Sequence, residues 1–243
     1  MKHTGGDLAA DASRGPPRFR RQLVWWTGNA LLRGCFRLSV EQSPKLAGPY
    51  VVAANHTSFL DPLLLSAAQR RWVCYMMNEA VYRSTRFGWF YRFAGAIPVS
   101  LWGSNRAAVR AARAALDRGE VVGVFPEGGL SRDGLPYLGQ PGAVSLVLSA
   151  GVPIVPAGII DAHHALPADG GWPRFHRVRV RFGAPIQPEE LAPSSTHRKK
   201  RLAVATERLM EEIAALTGHL PRATELATLR ARGAEPRPQS PSR

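Results

Sequence analysis

The chain is poor in cysteine, in acidic residues and in unbroken apolar sequence. Its 243 residues include two cysteines. These are Cys35 and Cys74, too few for a disulfide framework or a cysteine zinc site, and they predict a reducing compartment. Met1 and Lys2 lead into a polar stretch with no apolar signal core, so no secretory leader is expected. Residues 135–160 carry no charge, yet Pro136, Pro141, Gly142, Gly151, Pro153 and Pro156 interrupt them. That stretch reads as loop, helix (Gly142–Ala150), turn and buried strand (Ile154–Ile160) rather than as a membrane span. No Gly-x-Ser-x-Gly occurs, which disfavours a serine hydrolase.

The shortage of acid is the strongest compositional signal. Lys plus Arg total 32 against 18 for Asp plus Glu, a formal charge of +14. Such an excess calls for an anionic neighbour: nucleic acid, an acidic membrane face or an anionic substrate. A basic nucleic-acid-binding protein is the alternative from another class. Charge alone supports it, because no helix-turn-helix, zinc-finger or RNP pattern is present. Hydrophobic residues at 45% and charged residues at 21% fit a globular domain with tails.

Along the chain, residues 1–17 read as a disordered leader, 18–217 as a single domain, and 218–243 as a disordered basic, Pro-rich tail. Residues 18–33 form an N-terminal helix flanked by Arg18, Arg20, Arg21 and Arg33, with Trp25 and Trp26 adjacent. It is too short to span a bilayer. It is either an interfacial helix facing the membrane or a helix packed on the domain. Strands are expected at Tyr50–Ala54, Trp72–Met77, Val121–Phe125 and Ile154–Ile160. Helices are expected at Pro62–Gln69, Thr85–Phe93, Asn105–Arg118 (with Ser104 as N-cap), Gly142–Ala150 and 197–216. Arg177–Phe182 alternates Arg and Val, as an edge strand with one basic face would. Strands alternating with helices predict an α/β fold with a mostly parallel central sheet flanked by helices.

Two segments carry polar groups at the carboxyl ends of expected strands, where α/β sheets bind ligands. The first is Asn55-His-Thr-Ser-Phe-Leu-Asp-Pro62. A histidine with a carboxylate on its far nitrogen is a general base: the carboxylate fixes the tautomer and stabilises the imidazolium. The plainer reading takes Asp61-Pro62 as a helix N-cap and first-turn pair. The same spacing recurs at His164 and Asp169, so spacing alone does not choose, and the strand leading into His56 favours the first. The second segment, Phe125-Pro-Glu-Gly-Gly-Leu-Ser-Arg-Asp-Gly134, is a Gly-rich turn suited to lie against a ligand, or a plain turn. Trp89, Phe90, Tyr91 and Phe93 read as core or as the wall of an acyl tunnel. Cys74 reads as a small buried hydrophobe, and His163 and His164 as a loop pair lacking a zinc pattern.

Taken in order, Asn55–Pro62, Gly95-Ala-Ile-Pro-Val99, Phe125-Pro-Glu-Gly128 and Val152-Pro-Ile-Val-Pro156 resemble the four blocks of the PlsC-like glycerophospholipid acyltransferases. The resemblance covers about residues 45–185. It implies that His56 deprotonates an acceptor hydroxyl and that Asp61 orients it. The acyl donor would be a thioester of coenzyme A or acyl carrier protein, with no metal, other cofactor or covalent intermediate. Gly95, Ile97, Val99, Phe125, Pro126, Glu127 and Gly128 would line the acceptor pocket, and Val152–Pro156 would make donor or structural contacts. The expected partners are an anionic membrane surface, the acyl donor and a lysolipid acceptor, not nucleic acid. The expected location is the cytoplasmic face of the cell membrane, held peripherally, with a share free in the cytoplasm.

Two positions depart from the family pattern. Leu101 and Leu130 stand where the family places arginines taken to hold the acceptor phosphate, and leucine supplies no such contact. Either Arg106 and Arg132 replace them, or the acceptor is not a simple glycerophosphate.

Overall fold

The computed structural model describes residues 18–69, 71–83, 87–100, 105–131, 139–167, 171–191 and 197–219. The expected leader 1–17, the tail beyond 219, Leu101, Ser104, Arg132 and Asp169 lie outside the described residues, as do the side chains of 18–23 and Trp25.

Among the described residues the fold is a seven-stranded sheet with helices on both faces. In chain order the strands are β1 (Ser39–Glu41), β2 (Tyr50–Ala54), β3 (Val73–Asn78), β4 (Ile97–Val99), β5 (Val121–Val124), β6 (Ile154–Ile160) and β7 (Arg179–Phe182). They lie in the order β1-β7-β6-β2-β5-β3-β4. All neighbours are parallel except β6 and β7. Strands β2, β5 and β6 are buried along their whole length. Their sequences are unbroken apolar and small residues, as strands covered on both faces require.

One correction concerns β7. Its alternation is real: Val180 and Phe182 are buried while Arg179 and Arg181 are half-buried. It is not an edge strand, because β1 pairs outside it, Ser39 opposite Arg179 and Glu41 opposite Arg181. The outward arginines are satisfied by Asp161 at 3.3 Å and Glu41 at 2.9 Å. The three-residue β1 is too short to show any periodicity, so the sequence hides the strand that covers this edge.

Helices α1 (Arg18–Cys35) and α2 (Asp61–Ala68) lie over one face of the sheet. Helices α5 (Arg106–Asp117), α6 (Gly142–Ala150) and α9 (Arg198–Thr217) cover the other. Between them fall α3 (Glu79–Tyr82), α4 (Gly88–Ala94), α7 (Ala162–Ala165) and α8 (Pro188–Leu191). Helix α1 packs its last turns: Leu32 and Cys35 join the core, and Arg33 bonds to Asn29 at 2.8 Å and to the carbonyl of Ala67 at 3.2 Å. Its other side presents Val24, Trp26 and Leu31 to solvent. At the start of α5 the cap position is Asn105, whose amide bonds the backbone of Ser100 instead of the helix. Among the described residues, no helix is long and apolar enough to cross a membrane.

Candidate active site

The site begins where β2 stops. The Asn55 side chain donates to the carbonyl of Ile159 (2.9 Å) and accepts from its N–H (2.7 Å), tying the end of β2 to β6. His56 then leaves the sheet at its carboxyl edge. The turn from His56 to Asp61 closes on one atom. Asp61 Oδ2 accepts the N–H of Thr57 (2.6 Å) and of Ser58 (2.8 Å) and lies 2.9 Å from His56 Nδ1. Asp61 is fully buried, so these donors compensate a charge that water does not reach. An ionised carboxylate only accepts, which places the hydrogen on Nδ1 and leaves the lone pair of a neutral ring on Nε2. Nε2 has no hydrogen-bond partner among the described residues, and the His56 side chain is 16% exposed.

The plainer reading of Asp61 as an N-cap is corrected. Leu60 occupies the cap position, and Asp61 is the first residue of α2 with Pro62 behind it. Its carboxylate points back to the preceding turn instead of forward to the helix amides. The pair can therefore meet across five positions because the chain bends, not because it is helical there.

The second segment holds His56 from the other side. Strand β5 is the neighbour of β2, so its exit, Phe125 onward, lies beside His56. Glu127 is buried, and its Oε1 accepts the backbone N–H of His56 at 3.0 Å. The N–H of Ser131 donates to the carbonyl of His56 at 2.7 Å. Gly128 takes a left-handed φ of 73°, and a Cβ there would lie 2.7 Å from Gln140 Nε2. The left-handed conformation is what calls for glycine here, since the exposed Gln140 side chain can swing aside. The N–H of Gln140 bonds the carbonyl of Pro126 at 2.7 Å and closes the turn.

The imidazole also rests on an aromatic column. His56 stacks on Phe125 with centroids 4.1 Å apart and planes 17° apart. Tyr75 in turn lies parallel to Phe125, 5.8 Å away at 9°. The Tyr75 hydroxyl pairs with that of Ser66 at 3.1 Å. Burial pushes the Tyr75 pKa up, so the group stays neutral. Gly123 makes room for the column: a Cβ there would come within 2.4 Å of the Tyr75 ring.

The remaining expected site residues are distributed differently. Gly95 ends α4 in a left-handed conformation, and Ile97 is buried in the core at the start of β4. Val99, half-buried opposite Asn78, reaches the carboxyl edge. With β5 and β3 between them, β2 and β4 stand about 14 Å apart, three spacings of ~4.8 Å. The structure therefore unites His56, Asp61, Phe125, Pro126, Glu127 and Gly128 directly, and sets the Gly95–Val99 block farther away. Arg106 is exposed at the first position of α5, and Leu130 is half-buried. Val152–Pro156 leads into β6, where Val51 donates to the carbonyl of Pro153, a structural contact.

Other expectations change with the fold. Trp89 is 64% exposed and so is not core, because α4 is short and lies at the β4 side of the sheet. Cys74 is buried as expected, and its Sγ bonds Glu120 Oε2 at 3.4 Å. His163 and His164 belong to α7 rather than to a loop, with rings 3.9 Å apart, and His176 lies 5.1 Å from His164. Burial and then the His164 charge lower the pKa of His163. Sequence reasoning missed Asn55 and Tyr75 as supports of the site. Asn55 had its place in the motif as a signal; Tyr75 had none.

A histidine braced by a buried carboxylate at the carboxyl edge of a mostly parallel sheet, with helices on both faces, is the arrangement to set beside known proteins. A family model described as "Acyltransferase" matches residues 37–160. The chain belongs to this acyltransferase family and is an enzyme of acyl transfer. Among relatives, it is similar to a 1-acyl-sn-glycerol-3-phosphate acyltransferase of Bacillus subtilis (strain 168), 24% identical over 190 residues covering 78% of this chain and 92% of that one. It is also similar to the chloroplastic 1-acyl-sn-glycerol-3-phosphate acyltransferase BAT2 of Brassica napus, 26% identical over 151 residues, which are 60% of this chain and 43% of that protein. The fold is shared with the crystal structure of the 1-acyl-sn-glycerophosphate acyltransferase PlsC of Thermotoga maritima, at a TM-score of 0.63, 22% identity and coverage of 87% and 88%.

Proposed function

We propose that this enzyme transfers an acyl group from a coenzyme A or acyl carrier protein thioester to a hydroxyl of a lysophospholipid resembling 1-acylglycerol-3-phosphate. The observation that carries the reading is the 2.9 Å contact between His56 Nδ1 and the buried Asp61 carboxylate, which leaves Nε2 as the base. Nε2 takes the acceptor's proton as its oxygen attacks the thioester carbonyl. The tetrahedral intermediate collapses, the C–S bond breaks, and the departing thiolate takes the proton from the imidazolium. Asp61 stabilises that imidazolium and holds the ring. Glu127 and Ser131 fix the backbone of His56, so the base is positioned by β5 as well as by its own turn. The +14 charge supports work at an anionic membrane surface, on the cytoplasmic face, and attraction of an anionic donor.

The test is an acceptor screen with a labelled acyl thioester, scored by lipid mass. His56→Ala should abolish transfer without unfolding the protein, and His164→Ala should leave it nearly unchanged. Loss at His164 with none at His56 would reverse the assignment. The same screen examines the headgroup. If Arg106 or Arg132 holds the phosphate, its alanine variant should raise KM for lysophosphatidic acid far more than for uncharged acceptors. If neither does, a neutral or bulkier headgroup should be the better acceptor.

A further inference from the structure

Two strongly exposed aromatic side chains stand near the carboxyl edge of the sheet, where His56 lies. Trp172 is 90% exposed and Phe175 83%, more than any other large apolar side chain among the described residues. Both lie in the segment 171–177, which runs into β7. Ile160 pairs with Arg179, so this segment stands beyond the carboxyl end of β6. Ala54 pairs with Ala157, so His56 emerges at the same edge. Both regions reach the end of α7: Ser58 Oγ donates to the carbonyl of Leu166 at 2.8 Å, and the N–H of Arg174 to that of Ala165.

The segment is tied down by its backbone. The N–H of Arg174 bonds the carbonyl of Ala165 (2.7 Å), that of His176 bonds the carbonyl of Arg174 (2.8 Å), and that of Val178 bonds the carbonyl of Phe36 (3.0 Å). Through Phe36 it adjoins the end of α1, whose open side carries Trp26 and Leu31, each 66% exposed. On the turn that carries the catalytic pair, Phe59 is 53% exposed. Arg174 and Arg177 are exposed and make no ion pair among the described residues. No acidic residue occurs from Gly171 to Val178.

We propose that Trp172 and Phe175 insert into the boundary between headgroups and acyl chains of an anionic bilayer, with Arg174 and Arg177 on the lipid phosphates. This segment is then a second anchor, beside α1, that turns the mouth of the His56 site toward the lipid. The inference rests on reading the acceptor as a membrane lipid. Two bulky rings held out in water beside arginines without an ion pair among the described residues are the composition of an interfacial anchor. Charge complementarity identifies the occupant: +14 overall, and cations alone on this segment.

The experiment uses the full chain and vesicles of phosphatidylcholine with or without phosphatidylglycerol. Trp172→Ser with Phe175→Ser should raise the dissociation constant for the phosphatidylglycerol vesicles about tenfold or more. Arg174→Gln with Arg177→Gln should weaken the same binding and flatten its salt dependence, with little change on phosphatidylcholine alone. All four side chains are exposed, so the melting temperature should not move. Turnover of a short-chain, monomeric acceptor should be kept, while turnover of a vesicle-embedded acceptor falls. Unaltered binding of the aromatic double variant to vesicles would overturn the proposal. So would unaltered vesicle binding with a raised KM for an acidic carrier-protein donor, which would give the surface to a protein. If no lipid acceptor is acylated and yet the vesicle-binding loss appears, the reading of function falls and the anchor stands.

Discussion

Replacing Asp61 by Asn separates charge from scaffolding at the centre of the site. The Asp61 side chain is fully buried, and Oδ2 takes three contacts, from Thr57 N, Ser58 N and His56 Nδ1. Asparagine oxygen can accept all three, so the turn should survive. The new amide group would occupy the place of Oδ1, which is buried with no hydrogen-bond partner among the described residues. That costs about 1–3 kcal/mol of stability. The larger loss is the charge facing the imidazolium. Two unit charges about 4 Å apart at an effective dielectric near 20 attract by about 4 kcal/mol, equivalent to roughly 10³ in rate. Asp61→Asn should therefore lower kcat about 10³-fold with KM little changed. Asp61→Ala should lose the charge and also leave the N–H groups of Thr57 and Ser58 without an acceptor. At about 1–3 kcal/mol each, it should melt roughly 5–20 °C lower than the parent. The assays are steady-state turnover of a labelled acyl thioester and thermal melting of the three proteins. If Asp61→Asn keeps more than about a tenth of the parental kcat, against the ~10³ expected, Asp61 is only a brace for the turn and the general-base argument fails.

Gly123→Ala should disturb catalysis from beneath the site. Its Cβ would lie 2.4 Å from the Tyr75 ring, so the column that supports His56 must shift, and kcat should fall about tenfold or more while the protein remains folded. A fully active variant, measured by the same turnover assay, would show that the stacking does not position the base. His163 gives a pH effect. Its folded-state pKa is lowered from 6.5, so protonation favours the unfolded chain. Stability should be unaffected by this group above about pH 6.5 and should decline as pH falls through that value toward the lowered folded one. His163→Gln should lessen the decline, read as urea midpoints at about pH 7.5 and 5.5. Equal declines in both proteins would refute the effect.

What was legible in the sequence was local. Tyr50–Ala54, Gly142–Ala150 and Ile154–Ile160 fold where their apolar runs and bounding Gly and Pro residues placed them. The pairing of His56 with Asp61 was legible for the same reason: five residues apart, it closes within a single turn. The sequence also shows two leucines where arginines are expected, a matter of identity that needs no coordinates.

The tertiary structure decided everything that joins distant parts of the chain. Glu127 reaches the backbone of His56 across 71 positions, and Asn55 reaches Ile159 across 104. The Tyr75–Phe125–His56 column exists only because β3, β5 and β2 are neighbours. The interior position of β7 depends on a three-residue strand that no periodicity announces. Periodicity and capping report how a segment meets its immediate environment. Strand order, and hence which side chains meet at the carboxyl edge, follows from which apolar faces best bury one another once the whole sheet is assembled.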